Sequence, residues 1–171
     1  MKLRDNLNEN YYLVGQLLIE NAEGFSPTWY NDTMGNATIG YGFKHNGYAA
    51  QYVTSYINSP NLTMPISAAK EILDNIVSDI SLELINDLTY FKLLSFNSLS
   101  INKKAVLIDM AYNLGISQFL TFDTFLSYLG QGEIDEAVAD LTETLWYNQV
   151  KNRAVRDCLN LYAKDNNLYL L

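Results

Sequence analysis

Two carboxyl groups in unlike surroundings can divide the work of an acid and a base, and the stretch from Glu23 to Thr38 offers such a pair. Glu23 stands at the end of a predicted amphipathic helix, where unpaired carbonyls and the negative end of the helix dipole disfavour a second negative charge. That setting suits a proton donor. Asp32 follows nine residues later in a polar turn beside Asn31 and Thr33, which keeps a carboxylate solvated and ionised. Thr38, six residues further on, can offer a hydroxyl to hold a water beside Asp32. Hydrolysis of a glycosidic bond needs this set: one carboxyl protonates the leaving oxygen and another, about 6.5–9.5 Å away in the inverting class, activates a water. Glu20 shares a helix face with Glu23, and the spacing to Asp32 selects Glu23. The plainer roles are a turn-forming aspartate and a strand threonine.

The elements that must position these groups follow from pattern. Residues 7–22 read as a helix, with Leu7, Tyr11, Val14 and Leu18 at helical spacing, closed by Gly24 and stopped by Pro27. Residues 28–43 change to short aromatic and β-branched runs around Asn31, Asp32, Gly35 and Asn36, the composition of a twisted hairpin. Gly40 and Gly42 alternate with Ile39, Tyr41 and Phe43, so one strand face is bare, which suits either close approach of a ligand or tight packing. Beyond a polar loop, Ser67 is a candidate N-cap for a helix over 67–88. Segments 101–114, 118–130, 133–143 and 149–164 also show 3.6-residue periodicity, separated by Gly115, Gly130, Gly132 and the neighbourhood of Trp146. The expectation is an α+β fold, one domain over 1–171, with a hairpin-bearing N-terminal lobe (about 12–66), a larger helical C-terminal lobe (about 67–171) and a cleft between them.

Composition narrows the classes. With 171 residues, 49% of them hydrophobic, the chain can bury a core without staples, and its one cysteine, Cys158, reads as a buried structural thiol. The apolar run near the start is too short to span a bilayer, and Asp5 and Glu9 interrupt what a signal peptide would need, so a soluble protein made in a cytoplasm is expected. The net charge of -8 speaks against nucleic acid as a partner. One cysteine and one histidine leave no metal-ligand cluster, no glycine-rich loop opens a helix, and no cofactor is expected. Charge is unevenly spread: residues 67–145 hold four Lys or Arg against twelve Asp or Glu, whereas 146–171 hold four against two. The expectation is a basic C-terminal strip that faces the substrate while the acidic surface points away.

The spacing Glu-x8-Asp-x5-Thr recurs by chance among chains of this length, so its surroundings carry the information. The segment EGFSPTWYNDTMGNATIGYG, residues 23–42, resembles the active-site segment of the phage-type lysozyme (endolysin) family, glycoside hydrolase family 24, with EG, Y-x-D, G-x-x-T and T-I-G-x-G in register. AVLIDMAYNLG (105–115) is similar to that family's central buried helix, and WYNQVKNRAVR (146–156) to its Trp-Tyr-Asn-Gln and Asn-Arg-Ala segment. The resemblance implies a cofactor-free muramidase that cuts the β-1,4 bond from N-acetylmuramic acid to N-acetylglucosamine in peptidoglycan with inversion. It places the general acid at Glu23, the water-positioning carboxylate at Asp32 and the cleft threonine at Thr38. It matches Tyr112 to a cleft aromatic, Arg153 to an arginine beside the acid, and Phe125 and Asp140 to glycan contacts. Half-buried packing for Tyr112 and a surface ion pair for Arg153 are the alternatives. Phe43 stands where the family commonly has a histidine, a departure that bears on local stability and not on the chemistry, while His45 reads as an exposed loop residue. The implied partners are peptidoglycan glycan strands, met by a monomer that does not insert in membranes and that waits in the host cytoplasm before release. A rival reading is a wall-binding or structural module that keeps the cleft without the activity.

Overall fold

The structure, a computed structural model, describes residues 10–164 and 167–170. Helix α1 (Asn10–Glu23) leads into a three-stranded antiparallel sheet, β1 (Ser26–Asn31), β2 (Ala37–Gly40) and β3 (Phe43–Lys44), in that spatial order. A 3-10 turn (Tyr48–Gln51) and α2 (Thr54–Asn58) connect it to the long α3 (Ile66–Tyr90). The remainder is helical: α4 (Ile101–Leu114), α5 (Ile116–Phe119), α6 (Asp123–Gln131), α7 (Ile134–Thr142), α8 (Leu145–Val150) and α9 (Asn152–Tyr162). The fold is α+β, with a small sheet near the N-terminus and a larger helical part.

α1 ends as expected: Gly24 takes φ 66° and returns its N–H to the Glu20 carbonyl, so the chain turns sharply just after Glu23. Of the four spaced residues, Tyr11 and Leu18 are buried, Val14 is half-buried, and Leu7 lies outside the described residues. Although α1 precedes the hairpin, it packs along α4. Gly15 permits this, because a Cβ there would sit 3.2 Å from Ile108. α4 is the buried spine, with every residue from Ala105 to Ala111 inaccessible or nearly so. Burial of each large aliphatic in such a position contributes about 1.5–3 kcal/mol.

Several sequence expectations are corrected here. Ser67 is not the cap: α3 starts at Ile66, and Pro65, whose ring presets φ near that of a helix, precedes it. The segment 118–130 divides into α5 and α6, and Gly130 lies inside α6, where Leu93 and Leu94 press against its backbone; Gly132, at φ 82°, ends the helix. The segment 149–164 divides at Lys151, whose φ of 47° breaks the helix between α8 and α9. Trp146 is a buried member of α8, its indole N–H donating to Asn113 Oδ1 at 2.9 Å, and not a separator. Periodicity carries no mark of a one-residue break, which is why these joints escaped it.

Cys158 is buried, as expected of a structural thiol, and burial pushes its pKa up to about 11. Phe43 is wholly buried, and His45 is exposed, edge-on to Trp29. No helix among the described residues is long and apolar enough to cross a membrane.

Candidate active site

The hairpin turn that presents Asp32 is built by the aspartate itself. Asp32 Oδ1 accepts from the backbone N–H groups of Met34 (2.9 Å) and Asn36 (2.8 Å), and the Asn36 side-chain amide donates to both carboxyl oxygens at 3.2 and 3.0 Å. This is an Asx turn, the local bonding that makes Asp frequent at such positions. Lys44 Nζ lies 3.6 Å from Oδ2. The Asn36 side chain first, then its backbone N–H, hold the Asp32 carboxyl below the usual carboxylate range. Pairing across the sheet sets Tyr30 opposite Thr38 and Thr38 opposite Lys44, one rung beside the turn. Thr38 is 2% exposed, and its hydroxyl donates to the Asn36 carbonyl at 3.0 Å, leaving only its lone pairs for a water.

Glu23 is held by distant partners. Arg153 Nη1 donates to Oε1 at 2.6 Å, while Arg153 Nε and Nη2 donate to the Asp109 carboxylate at 2.8 and 2.9 Å. Arg156 adds a bond from Nη2 to Asp109 Oδ2 at 2.7 Å and another to Asp157 Oδ1 at 2.8 Å, and its Nη1 donates to the Leu18 carbonyl at 2.8 Å. The expectation drawn from the helix end alone therefore omitted a full positive charge against the acid. Burial works against the Arg153 charge, but Asp109 and then Glu23 outweigh it and raise its pKa. Glu20 pairs instead with Lys70 at 3.2 Å, an ordinary partly exposed ion pair.

The two glycines of the bare strand face resolve into separate jobs. β2 ends at Gly40, and both glycines have positive φ, 66° and 81°. A Cβ on Gly40 would lie 2.5 Å from the Phe43 ring, so Gly40 serves packing. A Cβ on Gly42 would lie 2.7 Å from Glu23 Oε2, so Gly42 makes room for the Glu23 carboxyl. Gly42 also lines a cavity of about 280 Å³ together with Lys44 and Tyr48 from the sheet side and Ile76, Tyr112 and Leu114 from α3 and α4. Tyr112 is half-buried, its hydroxyl donating to the Tyr41 carbonyl at 2.5 Å, which ties α4 to the sheet at the cavity wall. Burial and then the Glu23 charge push the Tyr112 phenol well up; burial, Glu23 and Asp32 raise that of Tyr30, which stands within reach of both carboxyls.

The remaining expected sugar contacts fare differently. Asp140 lines a cavity of about 550 Å³ with Asp123, Phe122 and Trp146. Phe125 is fully buried in the core of the helical part, so this side chain offers no surface to a glycan. Arg153 lies beside Glu23, and each of its three nitrogens donates to Glu23 or Asp109. The basic strip expected over 146–171 is corrected for the same reason. Arg153 and Arg156 have side chains only 9% and 1% exposed and are paired inward, which leaves Lys151 and Lys164 as exposed cations there.

Sequence reasoning passed over Tyr30, Lys44, Asp109 and Arg156. Asp109 did carry a signal, as an acidic residue within the apolar run 105–111, since a charge buried there must be paired. The sequence profile of the family described as phage lysozyme matches residues 20–160, which takes in Glu23, the turn, the rung and the whole ionic cluster, and the chain accordingly belongs to the phage lysozyme family, glycoside hydrolases that degrade peptidoglycan.

Proposed function

We propose that the chain hydrolyses the β-1,4 bond from N-acetylmuramic acid to N-acetylglucosamine with inversion, using Glu23 as general acid and Asp32 as the base that acts through a water. The observation that carries this reading is the division of Glu23: Oε1 is tied to Arg153, while Oε2 lies against Gly42, a residue that lines the cavity. Oε2 passes its proton to the glycosidic oxygen as the bond to C1 breaks. A water on the opposite face of the sugar bonds to C1 and gives its proton to Asp32, so the reducing end is released as the α-anomer. Thr38 accepts a hydrogen bond from that water, the Tyr112 ring walls the sugar site, and Asp140 meets the substrate further along the cleft. The partners are glycan strands and not nucleic acid. The enzyme works as a monomer whose cleft separates residues 12–66 from the helical remainder, and it is made in the host cytoplasm and released to the wall.

The test is clearing of purified cell walls by the parent and by Glu23→Gln, with NMR of fresh digest. Loss of about 10²-fold or more in rate for Glu23→Gln, with the fold intact, and initial α-anomer are expected. A variant that cleared walls like the parent, or initial β-anomer, would overturn the assignment.

A further inference from the structure

We propose that Asp109 is the positioning residue of the acid: it clamps Arg153 at two nitrogens so that the third meets Glu23, and it shares the guanidinium charge that Glu23 would otherwise have alone. This rests on the reading of Glu23 as proton donor. Asp109 lies at zero exposure on α4, with Oδ2 against Nε (2.8 Å), Oδ1 against Nη2 (2.9 Å) and its backbone carbonyl 3.3 Å from Nη2. Because a guanidinium is planar and rigid, fixing two nitrogens fixes the direction of Nη1, which points at Glu23. Arg156 secures Asp109 in turn and is anchored to α1 through the Leu18 carbonyl and Asn21.

The charge balance points the same way. Glu23, Asp109 and Asp157 share two guanidiniums, so the charge of neither arginine belongs to a single carboxyl. Asp157 Oδ2 is buried with no partner, and burial and then the Asp109 carboxylate push the Asp157 carboxyl well above the usual range. Burial thus favours the neutral form of Asp157. The groups facing Glu23 are Arg153 from α9, Tyr112 from α4 and Tyr30 from β1. Arg153 is the only cation among them, and Asp109 is what divides its charge.

The experiment is the pH profile of kcat/KM on cell walls. Asp109→Asn removes the shared charge and turns an amide N–H toward the guanidinium, leaving Arg153 to Glu23 alone. The limb on which activity falls with rising pH is expected to move down by about one unit, a roughly tenfold loss at fixed pH on that limb, recovered by acidifying. Asp157→Asn should leave the limb in place. The double variant Asp109→Asn/Arg156→Gln, which removes one buried charge of each sign, serves if the single variant does not fold, and should show the same downward move. A folded Asp109 variant that loses activity equally at every pH, or keeps the parent limb, would show a merely structural aspartate. An equal move in Asp157→Asn would place the charge on the wrong residue. Glu23→Gln separates the two ideas: if it stays active the acid is wrong, and if it is inactive while the limb stays put in the Asp109 variants, only the positioning role fails.

Discussion

Glu23 and Asp32 are nine residues apart in the chain and are held by opposite means. Asp32 draws its hydrogen bonds from residues two and four positions away, inside one turn, and its side chain is 19% exposed. Glu23 is held by a guanidinium 130 positions away, itself fixed by a carboxylate on the buried spine of the helical part. The same functional group can thus be placed by local bonding or by an ionic cluster that joins α1, α4 and α9. The two solutions should fail differently: the turn can lose its charge and keep its shape, whereas the cluster cannot lose a member without exposing a buried charge.

The sharpest test of that contrast is Asp32→Asn. Its amide can still accept the backbone N–H bonds of the turn but cannot take a proton from water. Wall-clearing rate should fall by about 10²–10⁴-fold, with only a small fall in melting temperature at neutral pH from the weakened Asn36 bonds. A large drop in melting temperature would show that the turn depends on the charge after all.

Arg156→Met is the counterpart in the cluster. Removing one partner of a buried ion pair costs about 3–5 kcal/mol, equivalent to a fall of about 10 °C in a domain of this size. Thermal unfolding checks it, and a variant as stable as the parent would mean that the cluster adds nothing to folding. Gly42→Ala probes the seam between the two regions. Its methyl would press on Glu23 Oε2 and force a φ of 81° on a residue with a side chain, so the acid must shift. Misplacement on the order of 1 Å costs about 10²-fold in rate, read as kcat on cell walls, and parent-like kcat would remove Gly42 from the argument.

Two aspartates should also answer pH in opposite senses. Hydrogen bonds from Asn36 depress Asp32, so its contribution to stability is present above the ordinary carboxylate pKa of about 3.9 and is lost as pH falls through the folded value. Burial and Asp109 raise Asp157, so its contribution is complete at acid pH and is lost as pH rises through the folded value. Melting temperature against pH should therefore lose part of its acid fall in Asp32→Asn and part of its decline with rising pH in Asp157→Asn. Indistinguishable profiles for the two variants would remove the contrast.

The smallest effect concerns salt. Arg153 and Arg156 are paired inward with the equally buried Asp109 and Asp157, so the exposed surface keeps the acidic excess behind the net charge of -8 and has no basic strip to offset it at a face meeting an anionic wall. Screening that repulsion should raise the initial clearing rate by about twofold between roughly 10 and 100 mM NaCl. A rate that falls from the lowest salt would mean that local attraction dominates.

Much of the site was legible because it is local. The helix stop at Gly24, the turn at Asp32 and the spacing to Thr38 all lie within residues 23–38, where turn chemistry and helix ends leave direct marks. The inward course of Arg153 and Arg156 was not, since nothing near them says whether a basic residue at helical spacing faces water or a carboxylate 44 or 47 positions back. Phe125 shows the same gap from the other side: an aromatic on a short amphipathic helix fits a glycan platform or a core equally well, and only packing decides. The joint at Lys151 left no signal at all, as a single residue with positive φ need not be glycine.

The span of the cluster also orders events in time. A chain emerging from the ribosome carries Glu23, Asp32 and Thr38 early, and the hairpin bonds around Asp32 can form as soon as those residues are free. The Arg153 pairing closes a separation of 130 residues, so Asp109 waits without a counter-ion until α9 has been made. Of the two proposed catalytic carboxyls, the one written first is therefore the last to be finished, and a nascent chain halted before Asn152 carries Glu23, Asp32 and Thr38 without the cation that pairs with Glu23.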